Sequence, residues 1–567
     1  MKPLLGRSAF MWLAAAVLLM APSLLLGTLQ SHSSPQNLTY AAQFADQFRN
    51  GVVYPRWLAD SFDGLGSPVF YFYPPVAFWV DALLNIATFG TLSASYRLSF
   101  SSLLLLWASG FAMHAWLRAE KAPARTAVFG ALAYMAAPYH LLDHYYRGAY
   151  AEFGAYAVLP LAMLAVGQIA DKRRLAPVLL AVAYAALPMM HLPTALLISV
   201  TALPMYVLYR GVRLGALRPA AEFLIRCLLG GVLGLALAAI YLVPALRLQD
   251  WIPAETLWGK YYHVENWFLL TPGRWPQPTD MMHIIACYAA AYGIAAVTVL
   301  AVLACGGIAH GWRTDAAFWA FVCIICLLFV AGALPWFWQL PFVAKVQFPW
   351  RLMIVVEFSA ITALCLMPWS VPSRAASYIV VGVIIAFIPG VAEMARGILV
   401  RMQVSLVQQE VPADLKQFEP AGFPQKPNGG YAELGLEPLE GVPLITCEPK
   451  PRICKASIES FDRLRIDVDA EVPTEIVLRR FYYPFWRLDP MLPVVATDPL
   501  RLVSFTAPAG RHVYHLRRTA VPAEKAGWAI SGLSFAFLLA WATASWAKKR
   551  AMIKPALPGR LLRGHRR

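Results

Sequence analysis

Charge is what this chain has least of. Asp, Glu, Lys and Arg make up 14% of its 567 residues against 59% hydrophobic side chains, and a mean hydropathy of +0.54 excludes a soluble α/β enzyme core. Acids are scarcer than bases, 32 against 48, for a net charge of +16. That excess does not point to nucleic acid. The Lys and Arg residues fall in short clusters between apolar runs (Lys2 and Arg7; Arg118, Lys121 and Arg125; Lys172 to Arg174; Arg210, Arg213 and Arg218; Arg313; Arg374; Lys548 onward), as cytoplasmic loops do under the positive-inside rule, so no nucleic-acid partner is expected. Also missing are H-E-x-x-H, a P-loop, G-x-S-x-G and a nucleotide-binding glycine fingerprint, which leaves ATP-driven transport and serine hydrolysis without support. Gly27 to Ser34 offers no A-x-A site, so the first apolar run reads as an uncleaved signal anchor.

Cysteine is scarce as well. Of eight, Cys227, Cys287, Cys305, Cys323, Cys326 and Cys365 lie in apolar runs, where a lone thiol packs as a small hydrophobe. Cys447 and Cys454 stand apart in a polar stretch, CEPKPRIC, and an oxidising compartment would bridge them.

What the chain does have is long apolar runs. Twelve spans are expected, at 9–27, 96–117, 124–138, 152–170, 174–190, 193–210, 221–247, 283–309, 316–334, 352–369, 375–396 and 526–547, each read as a helix crossing a hydrocarbon core of roughly 30 Å. Val76 to Gly90, with Asp81, Asn85 and a Pro74-Pro75 start, is read as a juxtamembrane or re-entrant helix, because a span there would put Arg118 to Arg125 outside. The architecture expected is therefore an all-α polytopic membrane protein with both termini cytoplasmic. It divides into a transmembrane domain at 1–396 with an external loop at 28–95, a small periplasmic β-domain at 397–525, a last helix at 526–547 and a basic tail at 548–567. The β-domain rests on alternating runs from Leu464 and from Thr474, the mark of half-buried strands. Its Phe481-Tyr-Tyr-Pro-Phe-Trp run suits either a glycan-facing patch or, preferred here, a strand filling a small sandwich core.

Polar chemistry concentrates in a few external segments. Tyr54 to Val76 crowds aromatics, prolines and acids into a loop after the first span, and the short turn from Pro138 to Glu152 packs His140, Asp143, His144, Arg147 and Glu152 between two apolar runs. Ionisable groups at membrane depth are costly and so mark a site or pathway. Arg147 suits a bidentate grip on a phosphate, while Asp143 and Glu152 are available as general bases or metal ligands. An Arg147–Glu152 pair that only fixes the turn is the alternative. Gln347-Phe-Pro-Trp-Arg351 at the start of the tenth span offers Arg351 either as a lipid-phosphate clamp or as an interfacial anchor, and His191 sits at another external turn. Charge within the spans is otherwise sparse apart from Arg226.

The succession Gly51-Val-Val-Tyr-Pro-Arg-Trp57, Gly64-Leu-Gly-Ser-Pro68, Phe72-Tyr-Pro-Pro75, Pro138-Tyr…Arg147-Gly-Ala…Glu152 and Gln347-Phe-Pro-Trp-Arg351 resembles the bacterial membrane family called 6-pyruvoyl-tetrahydropterin synthase-related. More widely it resembles GT-C glycosyltransferases, and the later β-domain is similar to that of YfhO-like membrane proteins. The resemblance implies an inner-membrane protein that moves a sugar from a polyprenyl-phosphate carrier to an envelope lipid, polymer or protein on the periplasmic face, or a transporter or assembly factor that kept the architecture without the chemistry. It implies an acid just after the first span as catalytic base, yet Ser33-Ser-Pro-Gln-Asn37 holds no carboxylate. The replacements favoured are Glu152 and Asp143, then Asp63, with Asp46 and Asp60 behind them. Arg147, Arg351, Arg56, His144, His191 and Tyr73 are the expected substrate-binding residues. A divalent metal could share the arginines' role, but no ligand set is specific enough to name.

Overall fold

The computed structural model describes residues 2–270, 279–305, 310–367, 374–408, 413–424 and 443–553. The expectations that fall on 306–309, 368–369, 425–442 and the tail from 554 lie outside the described residues. Helix α1 (Lys2–Leu26) leads into α2 (Ser34–Arg49), the one-turn α3 (Val69–Phe72) and α4 (Val76–Ala87). Then follow α5 (Ala94–Ala119), α6 (Ala124–Met135), the short α7 (Pro138–Leu142), α8 (Tyr150–Ala170) and α9 (Ala176–Met190). Next come α10 (Leu192–Val200), α11 (Ala202–Arg213), α12 (Leu217–Leu237), α13 (Ala239–Arg247), α14 (Thr279–Cys305), α15 (His310–Ala331), α16 (Met353–Leu366) and α17 (Arg374–Val407), and α18 (Pro522–Ile553) follows the strands. Among the described residues, 9 helices are long and apolar enough to cross a membrane, α10 and α11 counting as one.

The differences from the expected spans have local causes. The run at 124–138 yields only the 12 residues of α6, because Ala137 turns to an extended conformation ahead of Pro138, the restriction a proline imposes on its predecessor. The run at 375–396 continues to Val407, a 34-residue helix, so the stretch between the last two long helices starts later than 397. Between α10 and α11, Pro204 has no N–H for the carbonyl of Val200 and the chain breaks at Thr201. At two other helix prolines the orphaned carbonyl is taken by a side chain. Pro160 frees Tyr156 O, which accepts the Tyr134 hydroxyl at 3.1 Å; Pro244 frees Ile240 O, which accepts Arg56 Nη2 at 2.6 Å.

The strands form two antiparallel four-stranded sheets. With β1 (Ile445–Glu448), β2 (Ile453–Ser460), β3 (Arg463–Ala470), β4 (Thr474–Phe481), β5 (Trp486–Asp489), β6 (Val495–Ala496), β7 (Leu502–Ala507) and β8 (Gly510–Arg518), the orders are β1-β4-β7-β6 and β2-β3-β8-β5. In β3, Leu464, Ile466 and Val468 are buried while the residues between them face outward, as alternation predicts for a sandwich. Cys447 and Cys454 are joined by a disulfide that ties an edge strand of one sheet to an edge strand of the other.

The aromatic run has a different place from the one expected. β4 ends at Phe481 and β5 opens at Trp486; Tyr483 and Phe485 of the connection, together with Trp486, pack around Trp57 of the first loop, with ring centroids 5.4 to 5.8 Å away. Pro484 cannot donate to a ladder, which favours leaving the sheet there. Phe481 N–H donates to Leu65 O at 2.8 Å, Arg480 Nη1 donates to Ala59 O at 2.7 Å and also to Gly64 O, and Gly66 has no side chain because Trp57 fills that volume. The run therefore fills the seam between the β-domain and the loop after α1, each buried ring contributing roughly 1.5–3 kcal/mol.

Candidate functional site

The turn between α7 and α8 is a π-type turn, Asp143–Arg147, closed by Gly148 in the left-handed conformation at φ 60°. Such wide turns recur at functional sites. Here it brings Arg147 back over the first turn of α8. Arg147 Nη1 donates to Glu152 Oε2 at 2.9 Å, to Tyr139 Oη at 2.6 Å and to Asp143 Oδ1. Tyr139 Oη donates to the other Glu152 oxygen at 2.7 Å. From the far side, Arg351 Nε lies 3.5 Å from Glu152 Oε2, while its Nη1 donates to Val346 O and to Gln347 Oε1. The four charged groups are 0 to 9% exposed, so they act on one another at short range with little screening. Among the described residues Arg147 makes its contacts through Nη1, which leaves Nε and Nη2 for a ligand.

Two further layers hold the pair. Glu357, inside α16, accepts from Tyr139 N–H at 2.7 Å and from the hydroxyls of Tyr156 at 2.6 Å and Tyr292 at 3.3 Å, and so anchors the turn on the bundle. On the opposite side the segment after α1 docks onto the turn: His32 N–H donates to Tyr146 O at 3.2 Å, Ser33 N–H to Arg147 O at 2.9 Å and Asn37 Nδ2 to Gly148 O at 2.5 Å. Gly148 must be glycine for this approach, since a Cβ there would lie 2.3 Å from Ser31 Oγ. The stretch that lacks a carboxylate therefore lies against Arg147.

The expected site residues separate into two groups. Asp143, Arg147, Glu152 and Arg351 come together, with His191 and Tyr73 close enough to feel their charges. Burial pushes the Tyr73 hydroxyl up to about 12 against the opposing field of Arg351, and pushes His191 down to about 3. Burial, then the neighbouring Glu152 carboxylate, holds the Asp143 carboxyl well above its usual range.

Arg56, His144 and Asp63 do not join the cluster. Arg56 is 1% exposed and ion-paired with Glu524 at the start of α18, 3.1 Å away, in a network with Tyr71 and Arg518, so it joins the first loop to the last helix. His144 Nε2 bonds Ser23 Oγ of α1 at 2.8 Å. Asp63 is exposed at φ 53° on the turn facing the β-domain, as are Asp46 on α2 and Asp60, which line a cleft with Phe461. Glu357 and His32 are the members that the residue pattern did not single out. Glu357 is a carboxylate within an apolar span, so charge inside the spans is not confined to Arg226, and His32 is the one imidazole between α1 and α2. Among the described residues no three His, Cys, Asp or Glu side chains are grouped to hold a metal ion.

Fold and site together define a polytopic membrane protein with a small β-domain and an arginine–carboxylate cluster buried where the loop after α1 meets the helices. The chain belongs to the 6-pyruvoyl-tetrahydropterin synthase related domain family of membrane proteins, whose profile matches residues 70–398. Among solved structures it is similar to the arabinofuranosyltransferase AftD from Mycobacteria at 18% identity and a TM-score of 0.42, over 72% of this chain and 28% of that one. It is also similar to ArnT from Cupriavidus metallidurans, solved bound to undecaprenyl phosphate, at 15% identity and a TM-score of 0.31, over 63% and 77% of the two chains. Among curated proteins no sequence matches this one.

Proposed function

We propose that the protein is a membrane glycosyltransferase that takes a sugar from a polyprenyl-phosphate carrier and passes it to an envelope lipid, polymer or protein on the periplasmic face. One observation carries the reading: Arg147 and Arg351, from separate elements, converge on the single carboxylate of Glu152 with unused donors on Arg147. Two guanidinium groups from separate elements face the one carboxylate that both approach, an arrangement suited to gripping a lipid phosphate. In a single displacement with inversion, both arginines would stabilise the departing phosphate as its charge develops. Glu152 in this scheme is their counter-charge and positioning residue.

The topology belongs to the same proposal: about twelve spans, both termini cytoplasmic and the β-domain outside. The Cys447–Cys454 bridge supports an oxidising compartment. The basic turns around Glu120, Asp171 and Arg210, which pair with one another, support a cytoplasmic end opposite the cluster. A second reading, a protein that binds or moves the carrier lipid without chemistry, is favoured by the pairing of both Asp143 and Glu152, which leaves neither as an open base. The test is binding of undecaprenyl phosphate by the purified protein in nanodiscs. Arg351→Ala and Arg147→Ala should each weaken it at least tenfold, since a charge-assisted hydrogen bond contributes about 1.5–3 kcal/mol. Unchanged binding in both removes the clamp.

A further inference from the structure

Transfer to a hydroxyl needs a group that accepts the hydroxyl proton, and that group has to be reachable from outside. Neither carboxylate of the cluster qualifies. Each oxygen of Glu152 already accepts from a neighbour, and the Asp143 side chain is fully buried against Arg147. Two imidazoles feel the charge of the cluster. His191 is half-buried with Nδ1 held 2.7 Å from Thr194 Oγ1. His32 is exposed, and its backbone is pinned to the turn that carries Arg147 by the His32–Tyr146 and Ser33–Arg147 hydrogen bonds. Its Nδ1 lies 3.2 Å from Ser33 Oγ, leaving Nε2 open.

We propose that His32 is the general base of the transfer, an inference that rests on the transferase reading above. The acceptor hydroxyl gives its proton to Nε2 of His32 as its oxygen bonds to the anomeric carbon. The bond from that carbon to the carrier's phosphate oxygen breaks, and its electron pair leaves on the phosphate held by Arg147 and Arg351. The imidazolium then returns its proton to water.

The surroundings keep the ring neutral until that step. Partial desolvation where the ring lies against the turn, and the nearby Arg147, both lower its proton affinity although the residue stays open to solvent. His32 also precedes Ser33, the N-cap of α2, so the positive end of that helix opposes a charged ring. Behind the turn, Arg401 of α17 lies over the Tyr146 ring at 3.8 Å, a further cation on the element packed there.

The experiment uses the full chain in nanodiscs, a panel of undecaprenyl-phosphate pentoses and hexoses as donors and membrane lipid extract as acceptor. His32→Ala and His32→Gln should bind undecaprenyl phosphate like the wild type and lose roughly 10²- to 10⁴-fold in kcat. Added imidazole should restore part of the His32→Ala rate, and the acidic limb of the wild-type pH–rate profile should vanish in both variants. An active wild type with His32→Ala within about threefold of it overturns His32 alone and leaves the transferase reading intact. Loss of carrier binding in His32→Gln overturns the base in favour of a structural role. A wild type that binds the carrier and turns over no donor overturns both.

Discussion

Replacing Glu152 by Gln separates a counter-charge from a catalytic base. The carboxylate accepts from Tyr139 at 2.7 Å and from Arg147 at 2.9 Å and faces Arg351 at 3.5 Å, with its side chain wholly buried. Gln keeps the shape and loses the charge, so the two buried guanidinium groups lose their shared carboxylate and only Arg147 keeps one, Asp143. Breaking a buried pair costs about 3–5 kcal/mol. Because the amide oxygen still accepts one donor, the lower end is expected, about 3 kcal/mol. A lipid phosphate entering between the arginines would replace the missing charge. At a hundred times its Kd a ligand adds about 2.7 kcal/mol, enough to restore most of the loss. The assay is thermal unfolding in nanodiscs with and without undecaprenyl phosphate. Glu152→Gln should melt earlier than the wild type and gain more from the lipid than the wild type does. A variant as stable as the wild type and no more responsive to lipid would refute the counter-charge argument.

Gly148→Ala should reduce stability by roughly 1–3 kcal/mol, since a left-handed residue costs about 1–2 kcal/mol and its Cβ would collide with Ser31; protease sensitivity of the 28–34 segment reads the undocking, and an unaltered digestion pattern counts against it. Cys447→Ser with Cys454→Ser should cost the β-domain roughly 2–3 kcal/mol through loop-closure entropy, seen as a lower denaturant midpoint. Burial lowers His144 to about 4 and His191 to about 3, both below the unfolded value of 6.5. Their contribution to stability is therefore present above pH 6.5 and is lost as the pH falls toward 4. The stability difference between the wild type and a His144→Gln, His191→Gln double variant should shrink between pH 7 and pH 5, and a constant difference would refute the neutral-histidine assignment.

Legibility in the sequence followed the range of the physics involved. Glu152 and Arg147 stand close in the chain, so their pairing was open to inspection as one of two alternatives. Arg351 and His32 are brought to the same place by packing of α16 and by the docking of the segment after α1, and neither contact leaves a local trace. Arg56 shows the converse. Beside an aromatic loop it had the look of a phosphate ligand, yet its partner is Glu524 at the other end of the chain.

The sequence alone determined that this is a membrane protein built of long helices with a strand-rich domain before the last one, because run length and alternation are local properties set by the hydrocarbon core and the pleat. Only the tertiary structure decided which acid answers which base, that the aromatic run seals the loop against the β-domain, and that the carboxylate-free stretch after α1 sits on Arg147. Buried charges must be matched within a few ångströms, and that matching is a property of the assembled fold.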